Sequence, residues 1–351
     1  MPRSAVDVIG SAFERTKRQL FKPFRWGQWF RLALVGFLAG EIGQGGGCSA
    51  RLPLDIASSI PKSNESQFLQ SGRSALFLVG IVLAVLLGAI LVVVLTYINS
   101  RMRFVLFDSI IEGECRIGES WRRRGGPAFR YFVFQILFSL TALFSLAVLI
   151  GIPLLAAMAG GLFENPSQHI LTLVLGGVAV GGVVVVLFVA LALVQVLIKD
   201  FVVPQMALED ISVSQGWNRV WLLMKAEKGG YAGYIGMKVL LNIAASVILG
   251  IAGFIVLLIV LIPFGGIGVI GILVGRAAGL VWNPVTIAIA IVFGILAMLT
   301  FILLVALVSV PAAIFFPAYS LYFFGERYPQ LQALLYSPAE GPGLSNLFPQ
   351  P

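Results

Sequence analysis

Long runs of apolar residues, separated by short basic segments, set the pattern of this chain. At least four of the runs exceed the roughly 20 residues needed to cross a hydrocarbon core. Ser74 to Tyr97 is the clearest: it carries no charge, and Arg101 and Arg103 hold its far end. Tyr131 to Met158 and Ile170 to Ile198 follow as a third and a fourth predicted span. A fifth covers Tyr234 to Ile262 and is closed by Pro263 and Gly265-Gly266. The sixth starts near Thr286 and continues through Pro311 and Pro317 toward Tyr322, the prolines predicting a kink or a break. A short first span is predicted over residues 27–42, with Arg31 near one end and Glu41 at the other. Ile267 to Asn283 is apolar and glycine-rich but carries Arg276, which fits a loop, an interfacial helix or a re-entrant segment. Its length and Arg276 argue against a seventh full span.

Helical periodicity also appears outside the spans. Over residues 7–22, Val8, Ile9, Ala12 and Phe13 share a broad face that Leu20 extends, while Glu14, Lys17 and Arg18 face water. This predicts an interfacial amphipathic helix. Pro23 ends it, and Trp26, Trp29 and Phe30 stand where an aromatic belt belongs. Residues 43–72 form a polar loop with a short amphipathic turn around Leu52 to Ile60. The expected organisation is a basic amphipathic segment over 1–26, a six-span domain over 27–325 and a disordered tail over 326–351, where five prolines occur from Pro329 on. The fold class is all-α: a polytopic membrane bundle of about six transmembrane helices in three hairpins, with interfacial amphipathic helices.

Charge gives this bundle an orientation. Only 11% of residues are charged against 59% hydrophobic, with mean hydropathy +0.97, whereas soluble domains run near a quarter charged. Twenty of the 24 Lys and Arg residues fall on one side of the six-span arrangement; Arg51, Lys62, Arg73 and Arg276 are the others. The positive-inside rule then places both termini in the cytoplasm and the chain in the inner (cytoplasmic) membrane. Arg15, Lys17, Arg18, Arg122, Arg123, Arg124 and Arg219 form a basic collar on that side. Because these residues flank apolar spans, anionic lipid headgroups are the expected partners, with a membrane or cytoplasmic protein as a further one and no nucleic acid. Cys48 and Cys115 fall on opposite sides of the bilayer and cannot pair. Cys48 follows three glycines in a lipobox-like setting but lies too deep for a lipid anchor.

The organisation repeats. Phe104-Val105-Leu106-Phe107-Asp108 is followed by Gly118-Glu119-Ser120-Trp121 and Arg122 to Arg124. Ninety-seven residues on, Phe201-Val202-Val203-Pro204 is followed by Ser214-Gln215-Gly216-Trp217 and Arg219. The amino-terminal helix and Phe316-Pro317 fit a third, degenerate copy. All copies start from the cytoplasmic side, so the repeats are parallel rather than inverted.

Candidate chemistry is sparse. Asp108, Glu112, Glu114 and Glu119, and Asp200, Glu209 and Asp210 in the next copy, suit either a metal or cationic partner or, more simply, solvated turns paired with arginines such as Glu119 with Arg123 at i,i+4. Asp200 is the sharpest single residue. Held inside the bundle mouth it could bind a cation or tether an arginine; exposed, it and Lys199 mark the membrane boundary, the simpler expectation. Among the amides Asn99, Gln135, Gln195, Asn242 and Asn283, Gln195 and Asn242 are the candidates for a polar pathway, and interhelical hydrogen bonding explains them as well. No metal site or cofactor is expected: His169 is the only histidine, and the glycines at 43–47 lack the Gly-Lys-Ser/Thr ending of a phosphate loop. Ser49 and Ser120 have no elbow motif or adjacent base.

The segment Phe21-Lys22-Pro23-Phe24-Arg25, the Asp200-Phe201-Val202-Val203-Pro204 block, Gly216-Trp217 and the region from Pro311 to Tyr322 carry a likeness over residues 10–325. On these the chain resembles bacterial multi-pass proteins related to the membrane domain attached to some glycerophosphodiester phosphodiesterases. The resemblance implies a six-span membrane domain; the catalytic domain of that family has no counterpart here. The function expected is a non-enzymatic envelope or scaffold protein, with a small-molecule or lipid transporter or channel as the alternative.

Overall fold

The computed structural model describes residues 4–22, 24–41, 73–162, 169–277, 279 and 283–336. The sequence features at Cys48, over 43–72, at Glu164 to Pro166 and beyond Tyr336 lie outside them. Within them the chain is all-helical, a multi-pass membrane bundle in which five helical segments are long and apolar enough to span a bilayer.

The amphipathic helix α1 covers Asp7–Phe21. Its buried stripe is Val8, Ala12, Thr16, Gln19 and Leu20, and Phe13 is 60% exposed on the other side. The expected face therefore rotates, because Thr16 and Gln19 meet polar partners inside: Thr16 donates to the Ala12 carbonyl and Gln19 to that of Ser109. Helix α2 (Trp26–Leu38) is shorter than the expected first span, about 20 Å at 1.5 Å per residue. Gly40 ends it at φ +73°, the left-handed conformation that suits glycine.

Helix α3 (Arg73–Glu112) runs past its lipid-facing part, so the Phe104 to Asp108 block is helical. Short α4 (Ile117–Arg123) leads into α5 (Gly125–Ala159). Helix α6 (Ile170–Leu197) passes through a π-helical turn, Ile198–Val202, into α7 (Val203–Glu209). A capping box of Ser212 and Gln215 starts α8 (Val213–Ala226).

At the carboxy-terminal end two expectations fail, and of the kink or break expected at the prolines the break does not occur. Helix α9 covers Lys228–Ala277, about 75 Å of rise, and continues through Pro263 into the ambiguous stretch as far as Ala277. A proline removes one helical hydrogen bond, a loss that a long apolar helix in lipid tolerates. Helix α10 (Pro284–Gly325), started by an Asn283–Thr286 capping box, runs unbroken through Pro311 and Pro317. Pro311 cannot donate to the Leu307 carbonyl four residues back; the Trp29 indole N–H takes that acceptor at 3.1 Å. Finally, α11 (Pro329–Tyr336) forms where a disordered tail was expected, because Leu331 buries itself beside Gly325 of α10.

The packed core sits at the basic end. It gathers α1, α2, residues 102–110 of α3, the π turn and α7, residues 231–234 of α9, and α10 from Ala306 to Phe324. The most apolar stretches of α3, α5 and α6 contribute nothing to it, and those of α9 and α10 very little. These helices expose Val, Leu and Ile all round, as lipid-facing helices do. Helix α1 lies against α10, and α2 against both α10 and α3.

Candidate functional site

The π turn places two adjacent charges in the core. The Asp200 side chain is buried, and its Oδ2 accepts from the Tyr234 hydroxyl at 2.8 Å and from Lys238 Nζ. Lys199, one residue earlier, reaches Glu41 Oε2 at 2.6 Å. A single wider turn inside an otherwise regular helix is a frequent mark of functional sites. The boundary role expected for Asp200 and Lys199 is thus replaced by burial, since Asp200 finds its counter-charge on α9 and Lys199 finds Glu41 just past the end of α2.

Glu41 is delivered by capping. At the end of α2, Asn99 Nδ2 donates to the Leu38 carbonyl at 2.9 Å and Arg103 Nη2 to that of Ala39 at 3.2 Å. Arg103 also donates to the Tyr131 hydroxyl at 3.1 Å, while its buried Nε has no partner among the described residues. Three cations, Arg103, Lys199 and Lys238, therefore meet two carboxylates, Glu41 and Asp200. Aromatic rings pack around the Asp200 pair: Tyr234 stacks on Phe323 at 4.5 Å and on Tyr319 at 5.3 Å, and Phe201 packs on Tyr231 at 5.3 Å. Beside the network lies a half-open cleft of about 30 Å³.

The cavity lining has a regularity. Arg103 and Asp200, Leu106 and Val203, and Phe107 and Pro204 are all pairs 97 residues apart, and all six line it, with Pro317 beside them. The offset is a signal by which Arg103 could have been found from sequence. Glu41 and Lys238 have no such signature; each reads as a charge at the end of an apolar run.

The other candidates fall around this network. Asn242 is half-buried and donates to the Lys238 carbonyl at 2.9 Å, one turn from the ion pair, with its buried Oδ1 without a partner among the described residues. Gln195 is half-buried one turn before Lys199. Asp108 is buried between two arginines, Arg123 at 2.9 Å and Arg124 at 3.1 Å, and Arg124 also donates to the Ala207 carbonyl. The expected Glu119–Arg123 pair gives way to this: Arg123 turns to Asp108 and Glu112, and Glu119 pairs with Arg116 at 3.6 Å. Their carboxylates hold the Arg123 guanidinium further toward its charged form, against the opposing effect of burial.

The collar residues divide into tied and free. Arg15 donates to the Ile110 and Ile111 carbonyls, at 2.6 and 2.7 Å, capping the end of α3. Arg219 pairs with Glu209 at 2.5 Å, and Arg327, further along, pairs with Glu227 at 2.7 Å. Lys17, Arg18 and Arg122 are exposed.

A family model described as a family of unknown function, DUF7544, matches residues 3–334. No curated protein matches the chain, and neither does any solved structure. The matched region holds every residue of the ion network and nearly the whole described fold, and the chain belongs to the DUF7544 family.

Proposed function

We propose that this protein is a non-enzymatic scaffold of the inner membrane, six spans in three parallel hairpins with both termini in the cytoplasm. Its working part is the packed, arginine-rich base, which engages anionic lipids and a protein partner. The observation that carries this is the buried ion network: Lys199 and Lys238 are each paired with a carboxylate, Arg103 is held by the Ala39 carbonyl and the Tyr131 hydroxyl, and the cleft beside them measures only about 30 Å³. A pathway for solute needs polar groups that are free to exchange partners at depth. The basic bias of the base supports the orientation, and the pairs 97 residues apart around the cavity support the repeat. On this reading α2 is the inner half of the first span. The phosphodiesterase-linked resemblance contributes the six-span arrangement alone.

A second reading, a transporter, is favoured by one observation: Asp200 and Lys238 are ionisable residues buried within spanning helices, a common mark of ion or proton pathways. The two are separated by purifying the chain in native lipid and then reconstituting it in proteoliposomes. The scaffold reading expects retained lipid and partner and no solute uptake or leak. Flux above that of protein-free vesicles overturns it.

A further inference from the structure

A second cavity lies between α1, the start of α2 and the end of α3. It measures about 160 Å³, about five water volumes, and Arg15, Arg18, Lys22 and Arg25 line it together with Gln19 and Glu114. Arg15 and Arg18 stand at i and i+3 on α1, and Lys22 follows at its extended C-cap. The four cations face one carboxylate, and Glu114 is already engaged by Arg116 at 3.2 Å and Arg25 at 3.8 Å. Arg18 and Lys22 are exposed and make no ion pair among the described residues. Positive charge gathered in excess of counter-charge around a cavity is costly unless an anion completes it.

Gln19 is buried at the wall of the cavity, its Nε2 held by the Ser109 carbonyl at 2.8 Å. The cations around it suit a phosphate oxyanion. The aminoterminal end of α2, which has no side-chain cap, adds its partial positive charge beside Arg25.

The surroundings say where the ligand comes from. Trp26 is 65% exposed and Phe24 45%, and the two rings touch edge to face at 5.1 Å beside the cavity. Phe13 and Phe21 are exposed on the same helix as the arginines. Exposed aromatics next to basic residues are the usual furnishing of a membrane–water interface.

From this geometry we propose that the cavity between α1 and α2 binds the phosphodiester headgroup of an anionic glycerophospholipid, the phosphate held by Arg18, Lys22 and Arg25. Arg15, fixed by the Ile110 and Ile111 carbonyls, forms the rigid wall. The proposal rests on the placement of the basic end at the inner leaflet given under Proposed function.

The test is native mass spectrometry of the full chain titrated with phosphatidylglycerol, phosphatidylcholine and free glycerol 3-phosphate, for the wild type and the Arg18→Gln/Lys22→Gln variant. Both substituted side chains are exposed, so the variant keeps its fold, and its thermal midpoint checks that. Phosphatidylglycerol should bind in preference to phosphatidylcholine and weaken roughly thirtyfold in the variant, about 1 kcal/mol per basic residue. Equal phosphatidylglycerol binding by wild type and variant overturns the proposal. So does free glycerol 3-phosphate binding as tightly as the lipid, which would make the ligand a soluble phosphate ester. Neither result bears on solute flux, so a failure here stays distinct from a failure of the scaffold reading.

Discussion

Lys199 Nζ lies 2.6 Å from Glu41 Oε2, while the neighbouring Asp200 turns to Lys238 and Tyr234. Two adjacent residues of one π turn thus tie two places remote in sequence, the segment just past α2 and helix α9. Each tie is a buried ion pair, and such pairs give register more dependably than they give net stability. What they fix here is the meeting point of the helix ends at the base, below spans whose most apolar stretches are little buried.

Removing one partner should therefore cost much more than removing both. Asp200→Ala leaves Lys238 buried and uncompensated, a loss of about 3–5 kcal/mol. Asp200→Leu combined with Lys238→Met should recover most of it. Thermal unfolding in lipid nanodiscs measures both; equal loss in the single and double variants would show that the pair does not couple.

The Trp29–Leu307 hydrogen bond replaces the one that Pro311 cannot make. Trp29→Phe keeps most of the ring and should cost about 1 kcal/mol by orphaning that carbonyl. In a Pro311→Ala background residue 311 supplies its own N–H, so the same substitution should cost clearly less. A double-mutant cycle reads the difference, and strict additivity would rule out the exchange of donors.

Glu227 is held below its ordinary value of 4.5, first by the hydrogen bond from Arg327 and then by that guanidinium's charge, against burial. A carboxylate with a lowered folded pKa adds stability above about 4.5 that is lost as pH falls through the lowered value. The side chain is 37% exposed, so screening keeps the effect small. The thermal midpoint should fall with acidification below pH 4.5, and less steeply in Glu227→Gln. Parallel curves for the two proteins would contradict the assignment.

Gly216 allows α8 to approach the π turn. A Cβ there would stand 2.7 Å from Val202 Cγ1, a branched side chain fixed in the core. Gly216→Ala should destabilise by about 1–3 kcal/mol, the usual cost of overpacking. Val202→Ala in the same chain should relieve part of it, as read by the same unfolding assay.

The spans were legible because a run such as Ser74 to Tyr97, without charge, has few homes outside lipid. Helix ends were less so. Pro263 and Gly265-Gly266 look like a stop, yet α9 continues, because lipid leaves the backbone no better partner than its own helix. Pro311 looks like a break, and the group that repairs the helix, Trp29, lies 278 residues from Leu307. At the site, Asp200 stood out as an acid ending a long span, whereas its partner Lys238 lies 38 residues on and Glu41 lies 158 residues from Lys199. Pairings across such distances leave no local pattern. Arg103 was the exception, since the 97-residue offset maps it onto Asp200.

The claim that the base is closed is tested most directly at Ser320, which is buried and lines the small cavity beside Asp200. In a chain carrying Ser320→Cys with Cys48→Ser and Cys115→Ala, the new thiol is exposed to a membrane-impermeant maleimide in sealed right-side-out and inverted vesicles. The closed base predicts no labelling from either face until the protein is unfolded. Rapid labelling in folded vesicles, from either side, would show a water-filled path to the ion network and contradict the account.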